Sequence, residues 1–204
     1  MSQVTTVSRP KGWRERTSES RLGTLLVLAV TAALVMAGAY LVDRPAAAEP
    51  GVQAVTLSGP SGGAPPRIGS PAQDFTATTV DGKEVSLSSY KGQTVWLTFG
   101  ATWCAACQAE APDIEAAYQK TKAGGAVVLM VFISEDSATV RDYADRVGLT
   151  FPKIADPDTR IASAYRVNGI PAHYFIDRSG VLRSMETGGL SPERMDAAIA
   201  AASR

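Results

Sequence analysis

The 204-residue chain carries 20 Lys+Arg and 20 Asp+Glu, so its formal net charge is zero. From Ile68 onward 13 basic residues stand against 16 acidic ones, about −3, which offers no basic face of the kind that nucleic acid requires. Two cysteines three positions apart cannot tie distant segments together, so the chain is not a disulfide scaffold.

Residues 1–21 hold five basic side chains (Arg9, Lys11, Arg14, Arg16, Arg21) against Glu15 and Glu19. Leu22 to Val42 then runs for 21 residues without a charge. As a helix rising about 1.5 Å per residue, it matches a hydrocarbon core roughly 30 Å thick. Tyr40 lies near one end, at the depth where an amphipathic ring suits the interface. The basic excess before the run predicts a cytoplasmic N-terminus, with everything after Asp43 outside. Ala46-Ala47-Ala48 supplies small residues suited to signal cleavage. Signal peptides carry apolar regions of about 7–15 residues, however, so the length here favours a retained single-pass anchor in the cell membrane. Either outcome places the rest of the chain in the same compartment.

Residues 43–67 are rich in Pro, Gly, Ala and Ser, and Gly59 to Pro66 has no hydrophobic period. Such a stretch buries too little apolar surface to offset its ordering entropy and reads as a flexible linker. The folded domain is expected over 68–204. Asp74–Thr79 and Glu84–Leu87 flank Asp81-Gly82 as a hairpin. Thr94–Phe99 reads as a buried strand, and a helix runs from Cys104 to about Lys122, stopped by Gly124-Gly125. Ala126–Ile133 reads as a central parallel strand. Helices follow over Ser137–Val147, closed by Gly148, and over Asp158–Arg166, with Asp156 or Asp158 as cap. Ala172–Ile176 and Val181–Glu186 are antiparallel strands joined by the turn Asp177–Gly180. Ser191 opens the last helix, with Pro192 at its first position. This order implies an α/β domain: a mixed sheet with helices on both faces.

Cys104 and Cys107 follow a buried strand and open a helix. Free backbone N–H groups and the positive dipole end favour an anion there. Cys104 is therefore expected to have a depressed pKa and to attack as a thiolate. Cys107, one turn on and deeper, is placed to resolve a mixed disulfide, and the small ring lets the pair interconvert without large motion. A zinc site needs four ligands, and His173 is the one other candidate of the right type. Attachment of c-type haem needs His after the second Cys, where this chain has Gln108. No second cysteine arrangement suggests a separate peroxide-reacting site.

Val85-Ser86-Leu87-Ser88-Ser89-Tyr90-Lys91-Gly92 through Trp103-Cys104-Ala105-Ala106-Cys107-Gln108-Ala109-Glu110-Ala111-Pro112, followed by Gly169-Ile170-Pro171-Ala172-His173-Tyr174-Phe175-Ile176-Asp177-Arg178-Ser179-Gly180, resembles the TlpA/ResA-type thioredoxin-like family. The likeness spans roughly 68–203 and implies a thioredoxin-like fold behind one N-terminal transmembrane helix. It implies an extracytoplasmic thiol–disulfide oxidoreductase acting on protein thiols and disulfides, with the redox-active disulfide Cys104–Cys107 and no other cofactor or metal. Pro171 matches the family's cis-proline, and Glu110 matches an active-site acid of some relatives. Trp103 and Ile170, beside the cysteines and the proline, are implied as substrate contacts. A membrane electron donor of the CcdA/DsbD type is the implied partner. The likeness favours reduction, for example of apocytochrome c cysteines before haem attachment.

The sequence departs from the pattern at three positions. Ala106 replaces a usual proline, which puts the redox potential in doubt. Gly100 stands where Trp is common and suggests an open groove beside the pair. Thr98 occupies the place of a buried acid in thioredoxin, which turns attention to Glu110 as a proton carrier. His173, the only histidine, has contact with the site as one reading, but an ordinary strand residue is the expectation. The competing function is a copper-binding or copper-delivery module using the two cysteines, with His173 as an optional third ligand, since thiolates select Cu(I). Met-rich or His-rich segments that would support it are missing.

Overall fold

The computed structural model describes residues 20–42, 55–57 and 65–204. The N-terminal segment 1–19 and most of the linker lie outside the described residues. The chain divides into two units, Met1–Glu49 and Pro50–Arg204. In the first, helix α1 spans Ser20–Val42 and so coincides with the uncharged run. Among the described residues no helix is long and apolar enough to cross a membrane.

The second unit holds a five-stranded sheet in the order β6-β5-β4-β7-β8. Its strands are β4 (Thr94–Gly100), β5 (Ala126–Ile133), β6 (Lys153–Asp156), β7 (Ala172–Ile176) and β8 (Leu182–Thr187). β4, β5 and β6 run parallel, while β7 is antiparallel to β4 and β8 to β7. Helices α2 (Ala105–Thr121), α3 (Ser137–Val147), α4 (Arg160–Ala164) and α5 (Pro192–Ala202) complete the fold. A separate three-stranded sheet joins β1 (Thr56–Leu57), β2 (Phe75–Thr78) and β3 (Glu84–Ser86).

Strand alternation sorts the core into two layers. Trp96 on β4, Val128, Met130 and Phe132 on β5, and Phe175 on β7 pack with Ile114 of α2, Tyr143 of α3, and Met195 and Ile199 of α5. Val95, Leu97 and Phe99, the residues between, pack with Leu129, Ile154, Tyr174, Ile161 of α4 and Phe75 of β2 on the opposite face. Helices thus cover both faces of a mixed sheet, as the element order implies.

Several local expectations meet their physical causes. Gly148 ends α3 in the left-handed region at φ 76°, and Ser191 caps α5 by accepting from Arg194 N at 3.4 Å. Of the two acids offered as a cap for α4, Asp156 takes the role, accepting from the N–H groups of Arg160, Ile161 and Ala162. That helix is shorter than the expected Asp158–Arg166.

Two expectations need correction. β6 was not anticipated, because four residues that begin with Lys153 and end with Asp156 carry no strand period. All four are buried, and they form a strand only by pairing with β5. The folded part also begins before Ile68. Thr56 and Leu57 pair with Thr76 and Phe75, and Val55 is buried, so part of the proposed linker is an edge strand.

Candidate active site

β4 is buried along its whole length and delivers Ala101 to the lip of the sheet. Cys104 caps α2 with an extended backbone, and its Sγ accepts from Cys107 N at 3.2 Å. The two cysteines form a disulfide with their Cα atoms 5.2 Å apart. Both are buried, but Cys104 retains 8% of its surface against 1% for Cys107, so Cys104 is the sulfur that a partner meets first. Trp103 beside it is 64% exposed. The Ile170–Pro171 bond is cis. Ile170 packs against the cluster of Ala101, Cys104 and Cys107, and the Pro171 carbonyl accepts from Gly188 N at 2.8 Å. The expected substrate-contact and proline residues therefore gather around the pair.

A buried acid that was not singled out from the sequence fastens the loop before the cysteines. Glu135, at the end of β5, accepts from Thr102 N at 2.8 Å and from the Thr102 hydroxyl. Gln108 on α2 donates to the Thr102 carbonyl. The usable signal was its position: ligand and catalytic groups collect beyond the carboxyl ends of parallel strands.

Glu110 lies one turn beyond Cys107 on the same face of α2 and is 5% exposed. Its Oε2 accepts from Leu190 N at 3.2 Å. Burial pushes its carboxyl up to about 7, against the lowering effect of the Leu190 N–H, and with a further upward push from Asp113. The residue across from it is His173, fully buried, with Nε2 3.6 Å from Glu110 Oε1. Trp96 Nε1 donates to His173 Nδ1 at 3.3 Å, and Thr98 Oγ1 lies 3.0 Å from the same nitrogen. Burial pulls the imidazole down to about 4; the backbone of Gly188 acts in the opposite sense, without closing a hydrogen bond to Nε2.

Two sequence expectations about this region are corrected. His173 is not an ordinary strand residue: it is the polar neighbour of Glu110. The β4–β7 register sets it against Thr98, and Trp96 and Phe175 on the same sheet face point toward α2. The space beside Gly100 is not an open groove either. A Cβ there would lie 2.8 Å from Met130 Cε and 3.4 Å from Cys107 Sγ, so Gly100 is what lets Met130 and Cys107 close over the strand. His173 does not lie beside the sulfurs: its two nitrogens face Trp96 and Thr98 on one side and Glu110 on the other. Among the described residues no group of three or more His, Cys, Asp or Glu side chains is placed to hold a metal ion.

A sealed cysteine, a slightly more exposed one at a helix start and a buried acid one turn below suit thiol–disulfide exchange. Comparison with known proteins agrees. The profile of the AhpC/TSA family matches residues 68–185. The thiol-disulfide oxidoreductase ResA of Geobacillus kaustophilus is 36% identical over 129 residues, covering 63% of this chain and 74% of that protein. A solved thiol:disulfide interchange protein of the thioredoxin family from Chlorobium tepidum superposes with a TM-score of 0.60 at 29% identity, covering 68% of this chain and 99% of that one. A secreted Mycobacterium tuberculosis disulfide oxidoreductase homologous to E. coli DsbE gives 0.57 at 25% identity, covering 62% and 95%. The chain belongs to the AhpC/TSA family and is, within it, a thiol–disulfide oxidoreductase of thioredoxin-like fold.

Proposed function

We propose that this oxidoreductase is held at the outer face of the cell membrane by α1 and reduces disulfides of other proteins there, among them the haem-attachment cysteines of apocytochromes c. The observation that carries the redox cycle is the unequal pair: an accessible Cys104 at a helix start over a sealed Cys107 with Glu110 one turn below. Cys104 thiolate attacks a substrate disulfide, favoured by the free N–H groups and dipole of α2. Cys107 gives up its proton to Glu110, and its thiolate attacks Cys104 Sγ. The mixed disulfide breaks, and the substrate sulfur departs with the electron pair. Trp103 and Ile170 form the apolar rim against which a substrate chain rests. The cis Ile170–Pro171 segment presents backbone beside the sulfurs.

The anchor reading is supported by the uncharged run Leu22–Val42, by the basic excess before it, and by α1 itself, whose described large apolar side chains are all exposed. A helix apolar on every side needs an apolar surrounding. An enzyme that reduces must be recharged, and a membrane donor of the CcdA/DsbD type fits an active site tethered to the bilayer.

The test uses the full chain in its own membrane. A thiol reagent that does not cross membranes should label the reduced Cys104 in intact cells. The Cys107→Ser chain should hold its clients as mixed disulfides, identified by mass spectrometry as proteins with haem-attachment cysteines and one membrane dithiol donor. Labelling only after the cells are broken open would sink the outer location. Clients without such cysteines would sink the cytochrome assignment.

A further inference from the structure

Among the described residues, Glu110 Oε1 and His173 Nε2 are both buried without a closed hydrogen bond and face each other at 3.6 Å, with the Gly188 backbone as the other polar group near the ring. Unpaired buried polar atoms are rare because each costs free energy. Two of them side by side, just beyond hydrogen-bond length, are placed so that a small approach would let one hydrogen bond satisfy both.

The surrounding bonds decide which ring nitrogen carries the proton. The indole N–H of Trp96 is a donor only, and it donates to His173 Nδ1. Nδ1 is therefore the acceptor, and the single proton of the neutral ring sits on Nε2, aimed at Glu110 Oε1. A second proton on Nδ1 would oppose the indole N–H, so the ring stays neutral. Leu190 N–H already holds Glu110 Oε2, which leaves Oε1 to meet the ring.

We infer that His173 is a positioning residue for the exchange reaction: its Nε2–H donates to Glu110 Oε1 while Glu110 is a carboxylate, and lets go when Glu110 takes the proton of Cys107. This rests on the reading of Glu110 as proton acceptor given above. In the mixed disulfide, Cys107 Sγ–H passes its proton to Glu110, directly or through one water. The thiolate then forms the bond to Cys104 Sγ, and the bond from Cys104 to the substrate sulfur breaks. Glu110 ends protonated, which is the state that suits the disulfide form with its open 3.6 Å contact. The other titratable groups around this pair are Cys107 and Asp113 on α2 and Glu186 on β8, which lies opposite His173 in the register and is ion-paired with Arg194 of α5. β4 and β5 present only Trp96, Thr98 and Met130 there.

The test is nuclear magnetic resonance on the full chain in detergent, with labelled His and Glu, joined to the rate of substrate-thiol release from the mixed disulfide. In the wild type, Nε2 should be protonated and Nδ1 not, from pH 5 to 8. In the reduced protein His173→Phe should raise the Glu110 midpoint by about one pH unit, the effect of a lost hydrogen bond to a charge. The pH midpoint of the release rate should move with it. His173→Gln, whose amide accepts from Trp96 and donates to Glu110, should restore both. A proton found on Nδ1 in the wild type overturns the inference without any variant. So does an unmoved midpoint in His173→Phe, or a His173→Gln chain that behaves like His173→Phe. If Glu110→Gln releases thiol as fast as the wild type, the proton-acceptor reading fails and takes this inference with it. A slowed Glu110→Gln beside an unmoved His173→Phe midpoint defeats the inference alone.

Discussion

The rim of the site and the pocket behind it obey different physics. At the rim, Cys104 and Trp103 sit where the helix starts and a partner can reach them. Trp103 is largely exposed, Cys104 keeps only a small exposed edge, and the start of α2 turns its backbone N–H groups toward the sulfur. One turn deeper, Glu110, His173, Thr98 and Trp96 are sealed from solvent. There the protonation states follow from burial and from which donor faces which acceptor. In the proposed cycle the rim supplies the nucleophile, and the pocket takes the proton that the second sulfur loses.

The largest effect should come from breaking the rim. Cys104→Ser should reduce test disulfides no faster than buffer, whereas Cys107→Ser should still attack once and stall as a mixed disulfide, visible as a mass gain. Equal residual turnover in both variants would dissolve the distinction between the two sulfurs. Next, Glu110→Gln strikes the pocket alone. It should slow resolution by about 10²–10³-fold while leaving the first attack by Cys104 nearly intact. Wild-type resolution should fall about tenfold per pH unit once the pH drops below the Glu110 midpoint of the mixed disulfide, and the variant should lose that slope. Rapid-mixing measurements of the two steps across pH would show it.

The same carboxyl links stability to pH. Its folded pKa, about 7, lies above the unfolded value, so the folded protein binds this proton more tightly. The contribution is full below about pH 4.5 and is lost as pH rises toward 7, by at most about 3 kcal/mol. Urea unfolding of the oxidised chain should therefore show Glu110→Gln gaining on the wild type across that window and levelling off above it. His173 acts with the opposite sign. Its folded pKa, about 4, lies below the unfolded one, so the stability it confers is present above about 6.5 and lost as pH falls toward 4. The smallest effect should be at the seam between rim and pocket. Gly100→Ala should cost about 1 kcal/mol, near the low end for overpacking, because its Cβ would meet the swinging terminal methyl of Met130. Denaturant midpoints would measure this cost, and pairing the change with Met130→Val should recover part of it.

Much of the rim was legible in the chain. Cys104 and Cys107 lie within one local segment, and their place after a buried strand and at a helix start can be read from neighbours alone. The same holds for Gly148 and Ser191, which end and begin helices through atoms within a few residues. The pocket was only half legible. The family likeness pointed to Glu110, but no local pattern said that it is buried or that His173 waits across from it. Glu135 was missed for the same reason, since its partner Thr102 belongs to a different strand-to-helix turn. β6 escaped because its pairing with β5, not its own composition, makes it a strand.

By itself the sequence determined the redox pair, the order of most helices and strands, the family likeness and the uncharged run before the folded unit. These are short-range properties, carried by periodicity, caps and motif spacing. Only the tertiary structure decided that His173 shares a sealed pocket with Glu110, that Gly100 is occupied space rather than a groove, and that Glu135 fastens the active-site loop. Each depends on strand register and on which side chains meet after distant segments pack, and burial then sets the charge they carry.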